Sequence, residues 1–141
     1  MKFSHPLMKN NITSNDLNKV IKFLKSKNPI LTQSKNVELF EKAWSKWLGV
    51  KYSVMVGSGA AANYVTTAIV RELKVLHQKE VPGEIIVPPI GWVSDISSVI
   101  NTGFTPVFVD VDVKNMAISY NNIRSAINEN TKAIVLVHVL G

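Results

Sequence analysis

The sequence predicts an α/β fold: a mostly parallel sheet with helices on both faces. Three observations predict it. Short β-branched runs, such as Ile85-Ile86-Val87, are apolar throughout rather than alternating, the pattern of strands buried on both faces. Segments of helical period separate these runs. The residues that break the pattern gather where the runs end, and in open α/β sheets ligands bind at the carboxyl ends of the strands.

Composition narrows the class. Of the 141 residues, 46% are apolar and 18% charged, enough to build a core and unlike a disordered chain. There is no cysteine, which excludes disulfides and thiolate metal sites and fits a reducing compartment. The formal charge is +6, and the isoelectric point is about 9.6. Such a balance can signal nucleic acid. Here the richest stretch, Lys19, Lys22, Lys25, Lys27 and Lys35, lies mostly on the polar side of a predicted helix and reads as a solvated face. No nucleic-acid partner is expected, whereas an anionic small substrate would suit the charge. No run approaches the roughly 18 apolar residues that span a bilayer, and Met1 to Pro6 has no long apolar stretch behind it. A cytoplasmic protein without a membrane partner is expected.

The elements follow in order. Leu17, Val20, Ile21 and Leu24 keep helical spacing, with Ser14 as N-cap and Asn28-Pro29 as the stop. A loop at Thr32-Gln33-Ser34 leads into a second helix from about Asn36, with Val37, Phe40, Trp44, Trp47 and Leu48 on one side. Glu38 and Lys42 form an i,i+4 pair on its wet face, and Gly49 is its C-cap. Trp44 and Trp47 read as core rather than as a ligand platform. Tyr52 to Val56 reads as a strand running into Gly57-Ser58-Gly59, where a long helix begins and continues to about Leu76. Ile85 to Val87 is the next strand, closed by Pro88-Pro89. Trp92 to Ile100 is a helix stopped by Gly103, and Pro106 to Val109 is a third strand. Ser119 caps a helix carrying Ile123, Ala126 and Ile127. Ala133 to Val139 is a fourth strand.

Candidate site residues lie at the strand ends. The small residues of Gly57-Ser58-Gly59-Ala60-Ala61 let an anion approach the backbone. The unpaired N–H groups of the first helical turn and the helix dipole would then hold it; a tight turn without a ligand is the plain alternative. Gly57, Gly59 and Ala62 also match the dinucleotide spacing Gly-x-Gly-x-x-Ala. That reading needs an acidic residue after the next strand. Pro88-Pro89 stands there and Glu84 lies at the strand's opposite end, so a small NAD-binding, Rossmann-like protein is the weaker alternative. Trp92, after the paired prolines, could stack on a planar heterocycle or pack helix against sheet. Asp110 and Asp112 fit turn chemistry better than metal binding. His138 is equally a core histidine or a site residue, and no cluster has metal spacing.

Taken together, five segments resemble the DegT/DnrJ/EryC1/StrS family of pyridoxal-phosphate enzymes that act on nucleotide-linked keto sugars. They are Val37 to Glu41 with Trp47-Leu48-Gly49; Val54 to Asn63; Glu84 to Pro88; Gly103 to Asp112; and Thr131 to Ile134 with Val137 to Gly141. Their order and spacing hold over nearly the whole chain. The stretch from Asn63 to Glu84 looks most like the branch of the sugar 3-dehydrases.

The resemblance implies part of the large domain of a fold-type-I pyridoxal-phosphate transferase. Residues 1–35 would form an N-terminal helix and substrate-side loop, and 36–141 the first part of the cofactor-binding domain. The cofactor would be pyridoxal 5'-phosphate or pyridoxamine 5'-phosphate. Ser58, Gly59, Ala60 and Ala61 would hold its phosphate, Trp92 would stack on its ring and His138 would edge the pocket. Partners would be a nucleotide-linked sugar, an amino donor and a second copy in a homodimer, in a pathway making an amino or deoxy sugar for a polysaccharide.

Two departures qualify this. The family usually carries a Ser or Thr at one of the positions of Ala60 and Ala61, so here only backbone donors are expected. The loss is one hydrogen bond, about 1 to 3 kcal/mol for a charged partner. The aspartate that pairs with the pyridine nitrogen, and the catalytic lysine or the histidine that replaces it in 3-dehydrases, are expected beyond residue 141. No catalytic residue is assigned within the chain, and the 141 residues alone are expected to be inactive.

Overall fold

The computed structural model describes residues 10–76 and 83–138. The expected features at Met1 to Pro6 and at Val139 to Gly141 lie outside them. The chain forms two compact units, Met1–Met55 and Val56–Gly141. The expected division at residue 35 was drawn from the resemblance and remains a proposal.

The first unit is helical. Helix α1 spans Ser14–Leu24. Its N-cap is Thr13, one residue before the expected Ser14. Thr13 Oγ1 accepts from the amide of Asp16 (3.3 Å), and the Asp16 carboxylate accepts from the amide of Thr13 (3.0 Å). This reciprocal box needs an acid three residues after the cap, a condition Thr13 meets through Asp16 and Ser14 does not. Beyond the helix, Asn28 takes a left-handed φ of 60° before Pro29, a conformation asparagine tolerates. Helix α2 spans Lys35–Leu48 and ends at Gly49 with φ 77°. Glu38 pairs with Lys42, as expected, and with Lys35.

Two expectations fail in this unit. Tyr52 to Val56 is extended coil, not a strand. A strand needs a ladder partner, and the sheet has none for it among the described residues; the amide of Met55 instead donates to Glu41 Oε1 at 2.8 Å. Trp44 and Trp47 are 44% and 74% exposed. They touch each other, with ring centroids 4.9 Å apart, and Trp44 stacks on Phe40. The helical period marked an apolar face correctly, but no described residue of the unit covers it.

The second unit holds the sheet. Helix α3 spans Gly59–Leu76, strand β1 Glu84–Val87, helix α4 Val93–Asn101, strand β2 Thr105–Phe108, helix α5 Tyr120–Ala126 and strand β3 Thr131–Ile134. The sheet is parallel with order β2-β1-β3. Central β1 has Ile85, Ile86 and Val87 wholly buried. Because side chains alternate along a strand, both faces of β1 are covered. Ile85 and Val87 form the core with Val99 and Phe104, and Val70, Ile96, Ala133 and Val135 pack against them. The last strand is shorter than expected. It ends at Ile134, although the amide of Val135 still donates to the carbonyl of Ile86 at 2.8 Å. Among the described residues β3 has a neighbour on one side only.

Candidate functional site

Helix α3 begins at a turn of small residues. Ser58 accepts the amide of Ala61 on Oγ (3.1 Å) and that of Ala62 on its carbonyl (3.0 Å). The amides of Gly59 and Ala60 have no acceptor among the described residues. A Cβ built on Gly57 or Gly59 would meet nothing within 4 Å. The turn therefore combines open space beside two glycines with two amides left without a protein acceptor, conditions that suit a phosphate. Ser58 adds what the alanines were expected to lack. Its oxygen accepts from Ala61 and keeps a hydroxyl proton to give. The amide of Ala61 is already taken by Ser58 Oγ.

Helix α4 begins beside this helix. Trp92 is its N-cap residue and is 78% exposed, so it does not pack helix against sheet. Its amide donates to Asp95 Oδ2 at 3.1 Å. Asp95 is only 9% exposed, and its other oxygen accepts from Asn63 Nδ2 at 2.7 Å. A carboxylate in the first turn of a helix also meets the positive end of the dipole. Sequence reasoning passed over Asp95. The available signal was its place three residues after a helix start, the position from which an acid caps backwards.

The chain leaving β3 reaches the same place. A Cβ on Gly91 would lie 3.0 Å from Asp95 Oδ2 and 3.5 Å from Val137 Cγ2. The loop before Trp92 thus runs against the residue before His138. His138 is exposed and lies past the strand's end, which removes the core reading. Trp92 and His138 follow the carboxyl ends of β1 and β3, and Ser58 to Ala61 stand at the start of α3, whose Asn63 meets Asp95 of α4. Asp110 and Asp112 are not part of this group. Asp110 Oδ1 accepts from Val111 N and Asp112 Oδ1 from Lys114 N, so both serve the turn after β2, as expected. Among the described residues no cluster of acids and histidines could hold a metal, and no helix is long and apolar enough to cross a membrane.

Comparison with known proteins gives the family and the fold. The sequence profile described as the DegT/DnrJ/EryC1/StrS aminotransferase family matches residues 10–141. The chain is 34% identical over 136 residues to a GDP-4-keto-6-deoxy-D-mannose 3-dehydratase of Yersinia pseudotuberculosis, covering 96% of this chain and 34% of that protein. The structure superposes on the E. coli GDP-4-keto-6-deoxy-D-mannose 3-dehydratase with bound hydrated PLP at a TM-score of 0.81, with 28% identity, covering 98% of this chain and 35% of that one. An aminotransferase from Psychrobacter cryohalolentis gives a TM-score of 0.71 with 28% identity over 99% of this chain and 33% of its own. The chain spans about a third of the length of these relatives.

Proposed function

The chain belongs to the DegT/DnrJ/EryC1/StrS aminotransferase family, and on that premise we propose that it forms the phosphate-side half of a pyridoxal-phosphate site acting on a nucleotide-linked keto sugar. The observation that carries this is the open turn at Gly57-Ser58-Gly59, where a Cβ on either glycine would meet nothing and the amides of Gly59 and Ala60 have no acceptor among the described residues. When bound, the cofactor supplies an electron sink for the carbon next to the substrate nitrogen. Gly59 and Ala60 bind the phosphate through their amides, and Ser58 through its hydroxyl. Trp92 would stack on the ring and shield one face from water, and His138 would edge the pocket. The aspartate for the pyridine nitrogen, and the lysine or histidine that moves protons, lie outside these 141 residues in this reading. A homodimer, an amino donor and a cytoplasmic setting belong to the same proposal.

Within the family, transamination and 3-dehydration are the two reactions open to it. The likeness to 3-dehydratases in sequence and structure favours dehydration as the second, finer reading.

The test is Gly59→Ala in the native protein. Alanine meets no atom at this position and suits a helix better than glycine, so stability should hold or rise by up to about 1 kcal/mol. The added methyl fills the space of the phosphate, so affinity for pyridoxal 5'-phosphate should fall about tenfold or more, the loss of a charge-assisted hydrogen bond. The checks are thermal melting and cofactor titration by absorbance, with NAD as control. Binding of NAD in place of pyridoxal phosphate, or unchanged cofactor affinity in the variant, would sink the reading.

A further inference from the structure

We infer that Asp95 is a positioning residue: through Asn63 on one oxygen and the Trp92 amide on the other, it locks the ring-facing tryptophan to the helix that carries the phosphate turn. The inference rests on the cofactor reading above and adds to it a residue that touches neither phosphate nor ring.

Helices α3 and α4 are joined by polar groups as well as apolar contact. Asn63 reaches Asp95 at one end of the seam (2.7 Å). At the other end Arg71 Nη1 donates to the carbonyl of Thr102 at 2.9 Å, on the last turn of α4. Between them the Thr67 hydroxyl lies 3.3 Å from the carbonyl of Ser98 and 3.0 Å from that of Asn63, sharing one proton. Residues 63, 67 and 71 are spaced by helical turns, as are 95, 98 and 102. A hydrogen bond fixes direction and register, which an apolar contact between smooth helices does not. Sliding α4 along α3 by one turn would break the bonds at both ends.

The Asp95 end is the one that matters for the site. Asn63 stands one helical turn after Gly59, and Trp92 is the residue from which α4 starts. Asp95 therefore ties the two proposed cofactor contacts together by two direct bonds. Its burial makes the arrangement costly to break, because either oxygen would be left without a donor away from water. Gly91 shows how closely the loop is fitted around it, since a Cβ there would stand 3.0 Å from the carboxylate. A side chain at that position would press the carboxylate aside by some tenths of an ångström.

The chemistry of the pair also sets the control. In Asp95→Asn, the new amide oxygen can still accept from the Trp92 amide, and its nitrogen can donate to Asn63 once the Asn63 side chain turns over. Asp95→Ala loses both bonds. Asn63→Ala keeps the bond to Trp92 and severs only the link to α3.

The experiment uses the native protein with pyridoxal 5'-phosphate as probe. Two readouts are followed: the induced circular dichroism of the bound cofactor, and the fluorescence anisotropy of Trp92 without cofactor, isolated by subtracting the Trp92→Phe spectrum. Expected is a loss of affinity of about tenfold in Asp95→Ala, with an altered dichroic band and lower Trp92 anisotropy. Asn63→Ala should shift the dichroic band in the same direction, and Asp95→Asn should restore both signals. A melting temperature near wild type in Asp95→Asn keeps the result readable if Asp95→Ala unfolds. Wild-type dichroism and Trp92 anisotropy in Asp95→Ala would overturn this inference and leave the cofactor reading standing. Failure of Asp95→Asn to restore either signal would overturn it as well. A wild type that binds no pyridoxal phosphate would overturn both.

Discussion

The two units treat their apolar residues in opposite ways. In Val56–Gly141, Ile85, Ile86, Val87 and Val99 are wholly buried. In Met1–Met55, the only buried side chain among the described residues is that of Ser45, while Leu17, Val20 and Trp47 stay more than half exposed. Yet the helices of the first unit are the more regular in sequence, each with a clear apolar stripe. The difference shows that amphipathic spacing reports a helix and the direction of its apolar face, and does not report what lies against that face. A sheet supplies its own cover once crossover helices return to it. Two short helices joined by a loop do not.

The comparison breaks most decisively in the core. Ile85→Ala should cost about 2 to 5 kcal/mol by chemical denaturation, through lost transfer energy and a residual cavity. Leu17→Ala, at 53% exposure, should cost less than about 1 kcal/mol. Equal losses would mean that α1 is covered in solution, and the contrast between the units would collapse.

A smaller effect compares the two left-handed glycines. Gly49 (φ 77°) closes α2, and Gly103 (φ 84°) follows α4. Alanine at either pays about 1 to 2 kcal/mol for the left-handed backbone. At Gly49 the methyl meets open space, whereas at Gly103 it comes within 3.0 Å of Arg71 Nη1. Displacing that guanidinium from the Thr102 carbonyl should make Gly103→Ala worse than Gly49→Ala by about 1 kcal/mol. Equal melting temperatures for the two variants would remove Arg71 from the account of the seam.

The smallest effect is a pH dependence confined to the first unit. Hydrogen bonds from Lys35 and then Lys42, with their charges, lower the Glu38 carboxyl from its ordinary 4.5 to about 2. A depressed carboxyl contributes stability that is present above its unfolded value and lost as pH falls through the folded one. Helicity of α2 should therefore decline between about pH 4.5 and about pH 2. Because the pair is exposed, the change should be slight and should fade with added salt. Asp16, lowered by the Thr13 side chain and then its backbone amide, should leave a residual acid dependence in Glu38→Gln. Circular dichroism of the two proteins across this window checks it. An identical profile for both, insensitive to salt, would detach Glu38 from helix stability.

Much of the second unit was legible in the sequence because its signals are local. Ile85-Ile86-Val87, the stop at Gly103 and the turn at Ser58 each carry their conformation within a few residues. The failures have a common cause in long-range partners. Tyr52 to Val56 has strand composition, but a strand exists only with a neighbour, and the sequence does not announce one. Trp44 and Trp47 have core composition without a cover. The site was half legible. Glycine, tryptophan and histidine at strand ends stood out by type, whereas Asp95 looked like an ordinary helical acid. Its importance comes from Asn63, on another helix, and no spacing rule connects the two.

The parallel ladder also bears on how this chain assembles. Antiparallel neighbours can meet across a tight turn, but β1 pairs with β2 only after α4 is made, and with β3 only after α5 as well. Nothing in the sheet is a local contact, so its pairing must wait for loop closure. On a ribosome, Ile85, Ile86 and Val87 emerge before either partner strand. The α3–α4 pair is the part available earlier, because both helices precede β2. A nascent chain paused after α4 would thus hold a helical pair around a strand still lacking its neighbours. Such an intermediate would be the species most in need of a chaperone.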